Sequence, residues 1–184
     1  MATLVLTVIG DDRSGLVDAL SGVIADHGGN WDKSRMARLA GKFAGIVMVA
    51  VPDAAADALI ADLEPLEMQG LLDITVERAV PSKQVDDSAR YRMDIIGLDH
   101  PGIIHEVSHA LAGRQVSIEE LSTEARSAPM SGDTIFEAHA LLRVPADASL
   151  EELTEGLVLL GDRLAVDIEV AMEPDHGGPP WQAG

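Results

Sequence analysis

The sequence predicts an α+β protein made of two copies of one β-α-β-β-α-β unit, each a four-stranded antiparallel sheet with two helices on one face. Three observations carry that expectation. The stretch VIGDDRSGLVDALSGVI returns in register as IIGLDHPGIIHEVSHAL. In both copies a helical spacing of apolar residues follows a β-rich run. Glycines and prolines punctuate the two copies at matching places.

The register is the firmest of these signs. At an offset of 87, Ile9 meets Ile96, Gly10 meets Gly97, Asp12 meets Asp99, Gly15 meets Gly102 and Ser21 meets Ser108. At Val51-Pro52 the offset is 93, so the second copy carries six extra residues, placed by its turn-forming composition within RSAPMSGD at 126–133. Two copies fill the chain: residues 1–79 form the first domain and 91–172 the second. Between them 80–90 reads as a linker, and 173–184 reads as a flexible, Pro- and Gly-rich tail in which Trp181 dangles.

Each copy opens on a strand, residues 4–9 or 93–96, ended by a glycine and a short polar turn. The next segment places Leu16, Val17, Leu20, Val23 and Ile24, and then Ile103, Ile104, Val107, Ala110 and Leu111, on one helical face. Half-polar strands follow at 30–38 and 117–125. The third strand is apolar at 43–51, whereas its counterpart alternates, with Phe136, Ala138, Ala140, Leu142 and Val144 on one face and Glu137, His139 and Arg143 on the other. Pro52 and Pro145 stop these strands. A second helix comes next, signalled in the second copy by a Ser149/Glu152 capping box and a Leu150, Leu153, Leu157, Leu160 stripe. Short strands at 73–77 and 166–170 close the copies, giving the split βαβ or ferredoxin-like order twice. One face of each sheet lacks cover.

The bulk numbers narrow the function. Thirty-one acidic against thirteen basic side chains give a formal charge of -18, which repels a phosphate backbone and argues against direct nucleic-acid binding. A basic protein surface would be attracted. With no cysteine, disulfides, thiolate metal sites and thiol nucleophiles are excluded, and the cytoplasm is the default location. No apolar run reaches the roughly 20 residues of a bilayer span, and the N-terminus carries no signal peptide.

The element order, with I-G-x-D-x-x-G-[LI]-[VI] at the first strand-to-helix turn, resembles the ACT domain, a small-molecule-sensing module of amino-acid metabolism. Two copies with little else resemble the glycine cleavage system transcriptional repressor family. The resemblance implies an amino-acid effector, such as glycine or serine, held between two domains at the first turn and the start of the second strand. The matching positions are Asp12, Arg13, Ser14 and Gly15, then Asp99, His100, Pro101 and Gly102, with Asn30 or Ser117 opening the second strand. Ser14 stands where the commonest sensor pattern has proline, and Ser117 where it has asparagine. A Gly turn entering a helix offers free N–H groups to a carboxylate, and an Asp or Asn can take an ammonium. The same residues also admit a structural account, with Asp12 and Asp99 as helix N-caps, Pro101 in a first helical turn and the glycines serving only the turn.

One further motif needs weighing. HEVSH at 105–109 fits the zinc-peptidase spacing H-E-x-x-H. Its His105, Glu106 and His109 fall away from the apolar stripe, however, and the first copy has Asp18 and Gly22 at the two His positions. No third ligand is evident, so no metal or other cofactor is expected. The leading expectation is a cytoplasmic, non-catalytic, amino-acid-sensing regulator, by resemblance repressing glycine-cleavage genes by holding a transcription factor. A regulatory subunit of a metabolic enzyme is the alternative, and a metal-dependent hydrolase using HEVSH ranks below it. So does an enzyme stripped of its catalytic domain, which phosphoserine phosphatases and formyltetrahydrofolate deformylases bring to mind through similar N-terminal regions. A homodimer is expected, with the apolar stretch 46–51 as a candidate surface.

Overall fold

The computed structural model describes residues 1–79, 88–128 and 132–173. The chain divides into two compact units, 1–83 and 84–184. Unit 1 runs β1 (Ala2–Asp11), α1 (Leu16–Asp26), β2 (Asn30–Leu39), β3 (Lys42–Val51), a 3-10 turn at Asp53–Ala55, α2 (Ala56–Met68) and β4 (Asp73–Arg78). Unit 2 runs β5 (Ala89–Leu98), α3 (Ile103–Ala112), β6 (Ser117–Ser127), β7 (Thr134–Val144), α4 (Leu150–Leu164) and β8 (Val166–Met172). The sheets are ordered β2-β3-β1-β4 and β6-β7-β5-β8, each fully antiparallel, so the predicted α+β, ferredoxin-like order occurs twice.

Residues 89 and 90 of the expected linker belong to β5; 80–87, and 174–184 of the expected tail with Trp181, lie outside the described residues. The six-residue surplus of unit 2 is shared. Ala40 and Gly41, both at positive φ, make the two-residue β2–β3 hairpin, whereas 128–133 join β6 to β7, and those two strands are each one residue longer than their counterparts.

Each core lies between its sheet and its two helices. In unit 1, Leu16, Leu20 and Ile24 of α1 pack with Leu59 and Leu63 of α2 over alternate residues of β1 and β3. In unit 2, Ile103, Val107 and Leu111 of α3 meet Leu153 and Leu157 of α4 over Phe136, Ala138, Ala140 and Leu142. Val17 and Ala110, at the margins of the predicted stripes, remain outside the fully buried set. Among the described residues no polar side chain is buried, so apolar contact fills the space between helices and sheets. Ser149 caps α4 as expected, accepting from the Glu152 backbone N–H at 3.3 Å.

The open sheet faces differ between the units. On unit 2 Glu119, set at a bulge in β6 and only 14% exposed, accepts from Arg90 at 3.0 Å and from Arg143 Nε at 2.7 Å. Beside it Asp94 accepts from Arg92 at 2.8 Å and pairs with His139 at 2.7 Å, and Arg126 donates to Glu137. On unit 1 the corresponding centre is apolar. Thus β3 is apolar on both faces, as expected: Val47, Val49 and Val51 are buried beneath the helices, while Ile46 is 54% exposed on the open side beside Met48 and Ala50.

The repeated glycine before the turn has a packing cause. A Cβ on Gly10 would overlap the Leu71 carbonyl oxygen, and one on Gly97 would lie 2.6 Å from the Ala165 oxygen and 2.7 Å from the Val166 Cα. The central strand of each sheet therefore touches, backbone to backbone, the segment leaving the second helix. Gly97→Ala is expected to destabilise the protein by about 1–3 kcal/mol through that overlap, with Gly22→Ala, whose added Cβ meets nothing within 4 Å, as the unstrained control; chemical denaturation of both variants checks this.

Candidate functional site

Each helix-entry turn is shaped by a second glycine. Gly15 has φ 90° and Gly102 φ 102°, both left-handed, and they occupy the N-cap positions of α1 and α3. This corrects the structural account drawn from sequence: Asp12 and Asp99 are not the N-caps, and Pro101 lies before the cap and not in the first helical turn. A glycine cap has no side chain to accept from the helix N–H groups, and neither helix has a side-chain cap bond. Both helix starts therefore present backbone donors and the positive end of a helix dipole.

The turn side chains are largely committed to holding the turn. Asp12 receives Arg38 Nη1 at 3.1 Å, and its own N–H donates to the Gly41 oxygen at 2.8 Å. The Asp99 N–H makes the matching bond to the Thr134 oxygen at 2.8 Å, and its side chain is exposed. Arg13 donates to the Gly70 oxygen just past α2. At the same place in unit 2, His100 Nε2 lies 2.7 Å from the Leu164 oxygen at the end of α4, and Nδ1 lies 3.1 Å from the Pro101 oxygen. Both turns are thus tied by a basic side chain to carbonyls at the second helix's C-terminus, where positive charge is favoured. Ser14 and Pro101 are exposed at the turn surface.

Two oxygens facing both ring nitrogens suit the imidazolium, which has two N–H donors. The His100 pKa is accordingly raised, chiefly by the Leu164 carbonyl, then by that of Pro101, with burial opposing and the Asp99 charge assisting.

Asn30 and Ser117 are placed elsewhere. Asn30 pairs across Ala50 toward Thr3, and the turn follows Asp11, so eight residues of β1, about 26 Å, separate the two. In unit 2, Ser117 reaches Arg143 and then Arg90, again at the far end of the sheet from Asp99. The Asn30 side chain bonds Asp32. No single unit brings its turn and its second-strand start together.

His105 and His109 of HEVSH are exposed on α3 and Glu106 is half-buried, while Val107 between them is buried in the core. The His105 and His109 rings stack with centroids 6.2 Å apart, and Glu106 accepts from Arg163 at 3.4 Å. Among the described residues no group of three or more His, Cys, Asp or Glu is arranged to hold a metal ion. Two clefts of unit 2 escaped the sequence reading. One of about 290 Å³ between α3 and α4 is lined by Glu106, His109, Leu159 and Arg163, and one of about 570 Å³ is lined by Asp94, Glu137, His139, Asp162 and Glu169 among others. Neither is lined by the Asp99–Gly102 turn. The alternating strand pattern of β7 was the sequence signal for the second.

Because the folded pKa of His100 lies above the ordinary value of about 6.5, its contribution to stability is complete below pH 6.5 and is lost as pH rises through the folded value. His100→Arg, which copies Arg13, is expected to lose less stability than the wild type between pH 6 and pH 9; parallel denaturation curves measure the difference, which vanishes if the ring is unlinked to folding.

Residues 2–77 match the family model described as ACT domain. A solved structure of an unknown protein from Galdieria sulphuraria shares 29% identity and superposes with a TM-score of 0.83, covering 94% of this chain and 99% of that one. A second, named "putative glycine cleavage system transcriptional repressor", shares 21% identity with a TM-score of 0.70, covering 95% of this chain and 98% of its own, and so shows the same fold. Comparison with curated proteins found no match. The duplicated turn, the twofold sheet order and these likenesses together give the chain a tandem ACT-like fold, with residues 2–77 similar to an ACT domain.

Proposed function

We propose that this protein is a non-catalytic regulator that binds a small amino acid such as glycine or serine and acts through a protein partner, in the manner of a glycine cleavage system repressor. The observation that carries the reading is the match of residues 2–77 to the family model described as ACT domain, by resemblance a module of amino-acid sensing. Its repeat in unit 2 and the tandem likeness to a protein bearing the repressor name support it. The formal charge of -18 favours a basic protein surface over nucleic acid as partner. No helix among the described residues is long and apolar enough to cross a membrane.

The geometry limits how the ligand is held. With Arg13 and His100 engaged on helix carbonyls and Asp12 on Arg38, the groups left for a ligand at the turns are the first backbone N–H groups of α1 and α3, Ser14 and the exposed Asp99 carboxylate. The N–H groups take the ligand carboxylate, and Asp99 takes the ammonium. A small amino acid cannot touch both a turn and Asn30 or Ser117 of the same sheet, which keeps these about 26 Å apart.

A thermal-shift series against the twenty amino acids tests the reading. A ligand at 100 times its Kd adds about 2.7 kcal/mol, which raises Tm by several degrees. Glycine or serine is expected to give this shift, and Asp99→Asn to reduce it, while zinc gives none. No shift from any amino acid overturns the sensor, and zinc-dependent hydrolysis lost in His105→Ala/His109→Ala would make the protein an enzyme.

A further inference from the structure

We propose that the groove between α3 and α4 of unit 2 binds a short branched aliphatic carboxylate. The carboxyl group sits on Arg114 and the alkyl chain on Ala110, Leu159 and Leu160. Glu106 near the start of α3 reaches Arg163 near the end of α4, and Arg114 beyond α3 lies against Gly156, so the two helices run antiparallel. The groove between them encloses about 290 Å³, toward the small end of ligand sites. Ala110 and the buried Leu160 give it an apolar floor, and Leu159 is exposed at its rim.

The charges at its two ends are not equivalent. Glu106, the one acidic residue lining the groove, already accepts from Arg163 at 3.4 Å. At the other end the Arg114 guanidinium lies over Gly156, where an added Cβ would meet Nη2 at 2.6 Å, and Nη1 donates to the Ala110 oxygen at 3.3 Å. Among the described residues Arg114 has no carboxylate partner. Unit 1 shows what is missing. Leu59, Leu63 and Leu66 of α2 correspond to Leu153, Leu157 and Leu160 of α4, which sets Asp62 in the place of Gly156. His27, in the place of Arg114, is 14% exposed, with Nε2 3.0 Å from Asp62 and Nδ1 2.9 Å from the Val23 oxygen. Base and carboxylate therefore close on each other in unit 1, whereas unit 2 has a longer cation and a glycine where the carboxylate stood. A ligand carboxylate replaces that lost group, and the apolar floor selects one with an alkyl chain. An ammonium beside Arg114 is repelled, and Glu106 is engaged elsewhere, so an amino acid is the poorer fit.

Titration of the full chain with isocaproate, followed by its amide NMR spectrum, reads the site. Saturating shifts are expected at Ala110, Gly156 and Leu159, with a Kd of roughly 1 mM for so small a ligand. Arg114→Gln is expected to raise that Kd roughly tenfold or more. Gly156→Asp restores the carboxylate of unit 1 and meets only the flexible end of Arg114, so it folds and weakens binding similarly; the remaining resonances confirm the fold of both variants. Acetate has the charge without the chain, isocaproamide the chain without the charge, and L-leucine adds an ammonium. All three are expected to bind more weakly than isocaproate. Shifts that do not saturate, shifts centred on Asp99–Gly102, leucine binding as tightly as isocaproate, or an affinity indifferent to both substitutions overturns the proposal. The turns do not line this groove, so Asp99→Asn leaves isocaproate binding unchanged and tests the amino-acid reading separately.

Discussion

The close approach of two backbones, the middle strand of each sheet against the segment leaving the second helix, is the constraint on which the rest depends. It exists only where Gly10 and Gly97 leave no Cβ in the way. Once the crossing forms, the second helix ends beside the first turn, and its last carbonyls meet Arg13 or His100. The turn is then fastened from below by its strand and from the side by a helix end. A left-handed glycine swings the chain into α1 or α3 with its N–H groups outward. The candidate ligand surface is a by-product of this joint, since the residues that form it are mostly occupied in maintaining it.

Much of the fold was legible because duplication let each copy check the other. Alternation in β7 located Phe136, Ala138, Ala140, Leu142 and Val144 on the core side, and the i, i+4 spacing in α3 located Ile103, Val107 and Leu111. The turn was less legible. Asp12 and Asp99 have the chemistry of an N-cap, but the cap is a backbone conformation, and φ near 90° to 100° selects glycine three residues later. The partners of Arg13 and His100 lie 57 and 64 residues away, beyond any local pattern. Likewise the distance between Asn30 and its own turn follows from the antiparallel order β2-β3-β1, which sequence motifs do not express as length.

The two units keep one joint and vary its chemistry. The tie is an arginine in one repeat and, in the other, a histidine whose pKa is raised chiefly by the Leu164 carbonyl, so only the second can be loosened by rising pH. The sheets diverge as well. Unit 2 spends its open-face charges on internal pairs around Glu119 and Asp94, whereas unit 1 leaves Ile46 exposed. A chain assembled from such halves presents a different open surface on each repeat.

That divergence has a consequence for how the chain folds. Two homologous repeats on one polypeptide risk exchanging equivalent strands while folding. Were β5 to enter the first sheet in place of β1, Arg92 and Asp94 would land beside Met48 and Ile46, without His139 to share their charge. Were β1 to enter the second, Glu119 would lose Arg90 and His139 would face Thr7. The first error sets ionic groups against apolar ones and the second removes ion-pair partners, so the faces label the strands of their own repeat and steer a duplicated chain away from entangled intermediates.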